Sequence, residues 1–588
     1  MTHLPATRRE MEQRGWGGLD VILVTGDAHV DHPSFPAAIL GRALEADGWR
    51  VGVISRPDVQ DPESVAVFGP PRLFWGVTAG ALDSMLANFT ALRKRRSDDP
   101  YAPAGRGGGR PDRAVAVYVN LIRRKYGRGA FVVAGGLEAS LRRFAHYDYW
   151  SDSVRRPILL DCGAQILVHG MGEGPVLEIA RRIAAAGGPS LVRPEDFSDI
   201  PGVAWKVPRS AKPPEEAVGL PSAEDVASNP EKHVLAFRLQ EEHPQERMWQ
   251  DAGGMRVIAN PRWIPDTADL DRLYGLPFTR EAHPMYGGAE IPALEAVRFS
   301  ITTHRGCFGG CSFCAIGAHQ GKTVTSRSLD SILAEARWLA RQPWFRGTIS
   351  DVGGPTANMY GMRCRKSVPC ARPSCLWPAV CPALKTDASA YKQVLRMVSE
   401  VEGVRHVFVS SGIRMDLALL DDELAGLLAL RHTSGHLKVA PEHVSADVLR
   451  LMRKPAGNHF EAFLRKHREF SHAAGRRQRV LPYLMAAHPG CRLEHMFELM
   501  RFMEREGMIV EQCQIFTPLP GTASAVMYAT CLDPWTMEPV FVEKTDRGKR
   551  MQKAFILRHL PESRRLLREA RSLLRKRRDS GSEIDVKP

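Results

Sequence analysis

Of the eleven cysteines in this 588-residue chain, seven fall into two groups. The first lies in THRGCFGGCSFCAIG, where Cys307, Cys311 and Cys314 are separated by three and then two residues. Three thiolates this close on a glycine-bearing loop can wrap one face of a cubane [4Fe–4S] cluster. Three ligands rather than four leave one iron open to a substrate or cofactor. Gly306, Gly309 and Gly310 let the backbone curl between the thiols. A structural zinc is the competing reading, and it needs a fourth ligand such as His304 or His319.

The second group, in RCRKSVPCARPSCLWPAVCP, contains Cys364, Cys370, Cys375 and Cys381. The segment has too little apolar periodicity to fold alone, so a metal would explain how it holds shape. Four thiolates allow an auxiliary Fe–S cluster or a tetrahedral zinc. The spacings are wider than those of zinc ribbons, which favours a cluster; a loop of unligated thiols is the bland alternative. Cys162, Cys491, Cys513 and Cys531 stand apart and read as ordinary buried residues.

Composition sets the context. The chain is 44% hydrophobic and 25% charged, as an ordinary globular protein is. Its length suggests about three domains. The first twenty residues lack the apolar core of a signal peptide, and no run of eighteen apolar residues occurs. A cytoplasmic protein with no membrane span is therefore expected, and in that reducing compartment clustered thiols read as metal ligands. The formal net charge is +14, and from Lys544 to Arg578 fourteen Lys or Arg face three acidic residues.

The elements that must position the thiols come in two α/β series. VILVTG, VGVIS, RLFWGVT, AFVVAGG and AQILVHG read as buried strands separated by helix-length segments, which predicts a parallel, doubly wound Rossmann-like sheet over residues 1–190. Within it, the stretch from Arg93 to Pro111 reads as a mobile Arg/Gly/Pro-rich loop, and Arg142–Arg156 as an aromatic, basic loop. Residues 191–292 read as a connecting region with a few strands. From Val297 a second series, FSITTH, GTISDVGG, HVFVSSG, HLKVAPE, VLPYLMAAH and VEQCQIFTP, predicts a partial (β/α) barrel over residues 293–535. A basic tail fills 536–588.

The thiol spacing, with aromatic Phe313 before the third cysteine, resembles the motif of the radical S-adenosylmethionine (SAM) superfamily. The resemblance implies a [4Fe–4S] cluster that chelates SAM through its open iron and cleaves it reductively to a 5′-deoxyadenosyl radical. It places Phe313 beside the adenine, Gly353 and Gly354 of DVGGPT near the methionyl amine, and Ser410, Ser411 and Arg414 of VSSGIRMD near the ribose and carboxylate. Lys438–Pro455 is similar to the GxExxxxxxLxxMxK stretch of the methylthiotransferase-like branch, with Glu442 at the acidic position and Ala440 in place of Gly. FTPLPGTASAVMY is similar to that branch's PxPGTxA block. GDAHVDHPSF, GGLEASLRRFAHYDYWSD and both cysteine groups resemble the YgiQ family over about residues 20–553. A one-electron donor such as flavodoxin or ferredoxin is implied, and no substrate.

The N-terminal series resembles the cobalamin-binding-like domain that precedes some radical SAM cores. His32 stands where the DxHxxG motif has its Gly, so bound cobalamin is not expected, and His29 and His32 read as loop residues near a substrate face or exposed. In the tail, Leu566, Leu567, Ala570, Leu573 and Leu574 share a helical face. Its arginines would track RNA phosphates in a methylthiotransferase-like, RNA-modifying enzyme, or form the solvated side of a docked helix. A non-catalytic metal-binding scaffold is the third alternative.

Overall fold

The computed structural model describes residues 2–366, 370, 372–476 and 478–580. Val21–Thr25 is a five-residue apolar run whose alternate side chains face opposite sides of a sheet. It pairs in parallel with Val51–Ser55 and Phe74–Thr78, and the sheet continues in parallel through Val132–Gly135 and Ile166–Val168. Val21 and Leu23 pack under helices Pro36–Ala46 and Glu173–Ala185, while Ile22 and Val24 pack under helix Ala114–Tyr126. Burial on both faces is what a doubly wound parallel sheet requires.

The sheet does not stop at residue 190. Val203–Pro208 joins Ile166–Val168 antiparallel, followed by Met255–Ala259, Arg247–Ala252 and Ala217–Gly219, giving nine strands in one sheet. The few strands read from sequence in this connecting stretch are therefore part of the same sheet: Val203–Pro208 and Met255–Ala259 are largely buried, while Arg247–Ala252 alternates.

Two loops also differ from expectation. The Arg93–Pro111 stretch carries the fully buried Arg110, whose guanidinium holds Asp27 at 2.8 Å and Asp99 at 3.3 Å. Gly and Pro there mark turns rather than motion. The Arg142–Arg156 stretch forms a hairpin, His146–Asp148 against Ser153–Arg155. Tyr147 and Tyr149 from this hairpin pack against the C-terminal helices, and Lys549 Nζ donates to the hydroxyls of Tyr149 and Tyr528 at 3.0 Å each.

The second half supplies parallel strand positions at Ser300–Thr302, Asp351–Gly353, Thr348–Ile349, His406–Val407, His436–Glu442, Arg479–Ala486 and Gln514–Ile515. Helices Leu329–Ala340, Ser389–Ser399, Asp422–Arg431, His459–Ala473 and Leu493–Arg505 alternate with them. Ile301, Val352, Val407, Leu437 and Val439 face those helices in one core. The chain is an α/β protein with a parallel-sheet N-terminal domain and a partial-barrel core. No helix among the described residues is long and apolar enough to cross a membrane.

The tail helix Ser563–Ser580 docks on Asp546–Ile556, burying Leu567 and Ala570, with Leu566 and Leu574 packed beside them and Leu573 40% exposed. The side chains of Arg577 and Arg578 lie outside the described residues.

Candidate metal centre and cofactor site

The three thiols sit on the loop between the two-residue strand His304–Arg305 and the short helix Ala315–His319, at the C-terminal end of the first barrel strand. Gly306 has φ 82°, and a side chain there would run into the Thr323 carbonyl. Gly309 lies among the sulfurs: its N–H donates to Cys307 Sγ at 3.4 Å, and a β-carbon on it would stand 3.3 Å from Cys307 Sγ and 3.6 Å from Cys311 Sγ. Burial raises the thiol of Cys307 and pushes that of Cys314 up to about 12. A metal that binds these sulfurs must therefore displace protons, which couples its affinity to pH.

All three cysteines border a cavity of about 740 Å³ together with Phe313, Ser411, Arg414 and Glu442. Arg414 is clamped by Asp416, its Nε and Nη2 donating to the two carboxylate oxygens at 2.9 and 2.8 Å. Its remaining nitrogen, Nη1, lies 3.7 Å from Cys311 Sγ. Burial opposes the charge of Arg414, but Asp416 and then the two nearby thiols hold its pKa raised. Glu442 ends strand His436–Glu442 at an irregularity in its pairing, with φ 65°, and its carboxylate accepts from Lys454 Nζ at 3.4 Å. Lys454 also lies 5.8 Å above the Phe313 ring.

The two serines behave differently. Ser410 and Ser411 both donate their backbone N–H to Asp351 Oδ1, at 2.7 and 3.0 Å. Ser410 spends its hydroxyl on the Ser350 carbonyl at 2.8 Å, whereas Ser411 borders the cavity. Gly353 and Gly354 border a second cavity of about 610 Å³, between the N-terminal sheet and the barrel; Pro355 and Ile316 border both.

His304 and His319 line that second cavity, not the one the thiols line. His319 is engaged with Ser140 Oγ at 3.0 Å. Three thiolates on one loop, all bordering the cavity, are a donor set that fits a [4Fe–4S] cluster.

A family model described as "Radical SAM superfamily" matches residues 301–503, "Radical SAM N-terminal" matches 3–300, and "Domain of unknown function (DUF3362)" matches 511–579. A UPF0313 protein of Geobacter sulfurreducens is 50% identical, over 97% of this chain and 94% of its own. The chain belongs to the UPF0313 family. A UPF0313 protein of Methanosarcina acetivorans is 44% identical, over 96% of this chain and 80% of its own. With its radical SAM domain, this UPF0313 chain is a radical SAM superfamily member, which implies [4Fe–4S] and SAM as its cofactors. Among solved structures it is similar to the radical SAM methyltransferase TsrM from Kitasatospora setae with cobalamin and [4Fe-4S] cluster bound (TM-score 0.49, 18% identity, 86% of this chain and 77% of that one). It is also similar to the cobalamin-dependent radical SAM enzyme OxsB (TM-score 0.49, 10% identity, 91% and 66%).

In this UPF0313 chain, His29 and His32 are loop residues as read, but each is only 1% exposed, which corrects the exposed alternative. His29 stacks on His283 with ring centroids 4.7 Å apart, and the Asp27 carboxylate beside it is bound by Arg110. The docked segment around Arg280–His283, some 250 residues downstream in sequence, covers both histidines.

Sequence reasoning missed several residues around the thiols. Thr356 Oγ1 stands 3.7 Å from Cys307 Sγ. Asn358 fixes the backbone of Arg414 through two hydrogen bonds of 2.9 Å. Ser312 reaches Ser524 at 2.8 Å, and Ser524 reaches buried His488 at 2.7 Å, tying the cluster loop to the last barrel segment. Lys454 was visible as the final Lys of the quoted stretch, and Asp416 as the acid after Ile-Arg-Met; neither spacing alone indicates a partner.

Proposed function

We propose that this protein is a radical SAM enzyme in which Cys307, Cys311 and Cys314, on the wall of the 740 Å³ cavity, would hold a [4Fe–4S] cluster. The observation that carries the reading is three thiols on one cavity wall with the candidate fourth ligands, His304 and His319, facing a different cavity. Bound there and reduced, a cluster would supply the electron for reductive cleavage of SAM.

The chain's own groups do the rest. Arg414, held rigid by Asp416, presents Nη1 to the sulfur of Cys311 and stabilises negative charge on the cluster. Glu442 and Lys454 place a carboxylate and an ammonium within one cavity, suited to the zwitterionic head and ribose of SAM. Phe313 offers an apolar ring to the adenine, and Ser411, positioned by Asp351, a hydroxyl. Val439, Phe460 and Phe497 line the same cavity and limit water around a reactive radical. The match to the GxExxxxxxLxxMxK stretch through Glu442 and Lys454 supports the methylthiotransferase-like branch, and the quoted N-terminal and cysteine blocks support the YgiQ type.

The test is anaerobic reconstitution with iron and sulfide, reduction by dithionite and addition of SAM. 5′-Deoxyadenosine and methionine are expected from the wild type and none from Cys311→Ala. Protein that carries a full cluster yet neither binds nor cleaves SAM sinks the reading and leaves the metal-binding scaffold. A second reading, RNA modification, is favoured by the tail: its helix docks by the apolar face, leaving Arg564, Arg565, Arg568 and Arg575 exposed.

A further inference from the structure

The four cysteines of the second group lie on a loop that backs onto the cluster loop. Arg363–Cys364 pairs antiparallel with Leu384–Lys385, so the two ends of that loop are stapled together. Arg365 N–H donates to the Ala383 carbonyl at 2.8 Å, Leu384 N–H to Cys381 at 2.9 Å, and Cys381 N–H to Cys375 at 2.8 Å. These bonds gather Cys364, Cys375 and Cys381 at one end, and Cys370 is near enough for its charge to act on the Cys375 thiol. Burial, then the charges of Cys381, Cys364 and Cys370, push the Cys375 thiol up to about 11. The Lys366 N–H points at Cys364 Sγ from 3.5 Å, an N–H···S contact that a cluster thiolate accepts.

The same loop is fastened to the first site. Cys375 N–H donates to the Phe308 carbonyl at 3.1 Å, and Ser374 Oγ to the Gly309 carbonyl at 2.6 Å. Any side chain on Gly310 would meet the Pro373 carbonyl. Phe308, Leu376, Leu384 and Met359 form an apolar cluster against which Cys307, Cys375 and Cys381 pack. On the outer side Cys364 and Cys370 are exposed. That exposed end, with Arg363, Arg365 and Lys366, buries no apolar side chain, so bound metal would fix its shape.

The spacings of the four cysteines are wider than those of zinc ribbons, which favours a cluster over zinc.

We propose that Cys364, Cys370, Cys375 and Cys381 bind a second [4Fe–4S] cluster, fully liganded by protein and set at the surface beside the SAM-binding one. With four thiolates no iron is open, so this cluster carries electrons rather than a substrate. A small one-electron donor protein passes one electron to it, taking it from the 2+ to the 1+ state. That electron then moves inward to the first cluster, returning the second to 2+; no atoms or protons are exchanged. Exposed Arg363, Arg365 and Lys366 on the outer edge suit an acidic donor. The electron role rests on the SAM-site reading above; the metal site does not.

Full-length protein reconstituted anaerobically is expected to hold about eight irons and eight sulfides, and Cys364→Ser/Cys370→Ser, altered only at exposed positions, about four. The irons left in that variant should still respond to SAM in electron paramagnetic resonance, which also shows that it is folded. Cys307→Ala/Cys311→Ala should keep about four irons that ignore SAM. Wild type with only four irons, a count unmoved by the quartet substitutions, or zinc retained in the quartet overturns the proposal. If quartet irons persist while no irons respond to SAM, the SAM-site reading fails and the second cluster stands. Reduction of the first cluster by a reduced ferredoxin should slow markedly in Cys364→Ser/Cys370→Ser, with dithionite reduction unchanged; equal ferredoxin rates refute electron entry here.

Discussion

Arg414 stands between a carboxylate and a thiol: Asp416 grips two of its nitrogens while the third lies 3.7 Å from Cys311 Sγ. The guanidinium is buried, so that grip is what compensates its charge. Replacing Asp416 with Ala leaves an uncompensated buried cation, which should cost about 3–5 kcal/mol in denaturant unfolding. Asp416→Asn keeps one acceptor and should cost less. Equal stability of all three proteins would show that Arg414 finds another partner.

Lys454 is the only Lys or Arg within 4 Å of Glu442 among the described residues, and both border the cavity. Lys454→Met should weaken SAM binding to the reconstituted protein by about tenfold to a hundredfold, the worth of one charge-assisted contact. The iron content should not change. Isothermal titration of SAM reads the first, metal analysis the second; loss of iron without loss of affinity contradicts the assignment.

Gly306 adopts φ 82° directly before Cys307, against the Thr323 carbonyl. Gly306→Ala combines a strained backbone with a clash, so the thiols shift and iron retention should fall even though every cysteine remains. Iron per chain after anaerobic desalting measures it. Retention equal to wild type would mean that the loop adjusts.

His233, on helix Pro230–Glu242, is buried, and burial lowers its pKa to about 4. Its unfolded value is about 6.5, so between those two pH values the unfolded chain binds a proton that the native one does not. The stability held above about pH 6.5 is therefore lost as the pH falls toward about 4, by up to about 3 kcal/mol. His233→Leu should shrink the drop in melting temperature between about pH 7 and about pH 4.5. An undiminished drop assigns the acid sensitivity to other groups.

Exposed Arg564, Arg568 and Arg575 lie on the docked tail helix. If the tail tracks RNA, changing all three to Glu should weaken tRNA binding and flatten the salt dependence of log K by about three units of slope. Thermal stability should hold, because the buried face, Leu567 and Ala570, is untouched. Unaltered RNA affinity removes the second reading.

Local spacing carried the grouping of the three thiols on one loop and the six strand runs of the barrel, because a cysteine set on one loop and a buried parallel strand are both written in contiguous residues. The partners of Arg414 were harder. Asn358 lies 56 residues before it, and nothing in its neighbours' periodicity marks the contact. His29 and His32 look like loop residues until the segment near Arg280 folds over them. Strands were legible at Val203–Pro208 and Met255–Ala259, but not their membership of the N-terminal sheet, because pairing between segments far apart in the chain leaves no local pattern.

The sheet's continuity past residue 190 limits how the gene can be cut. A fragment ending there would bare the edge of the short strand Ile166–Val168, whose unpaired backbone groups invite another chain. Such a piece should clump when expressed, whereas one reaching past Ala259 carries its own closing strands and ought to stay dispersed.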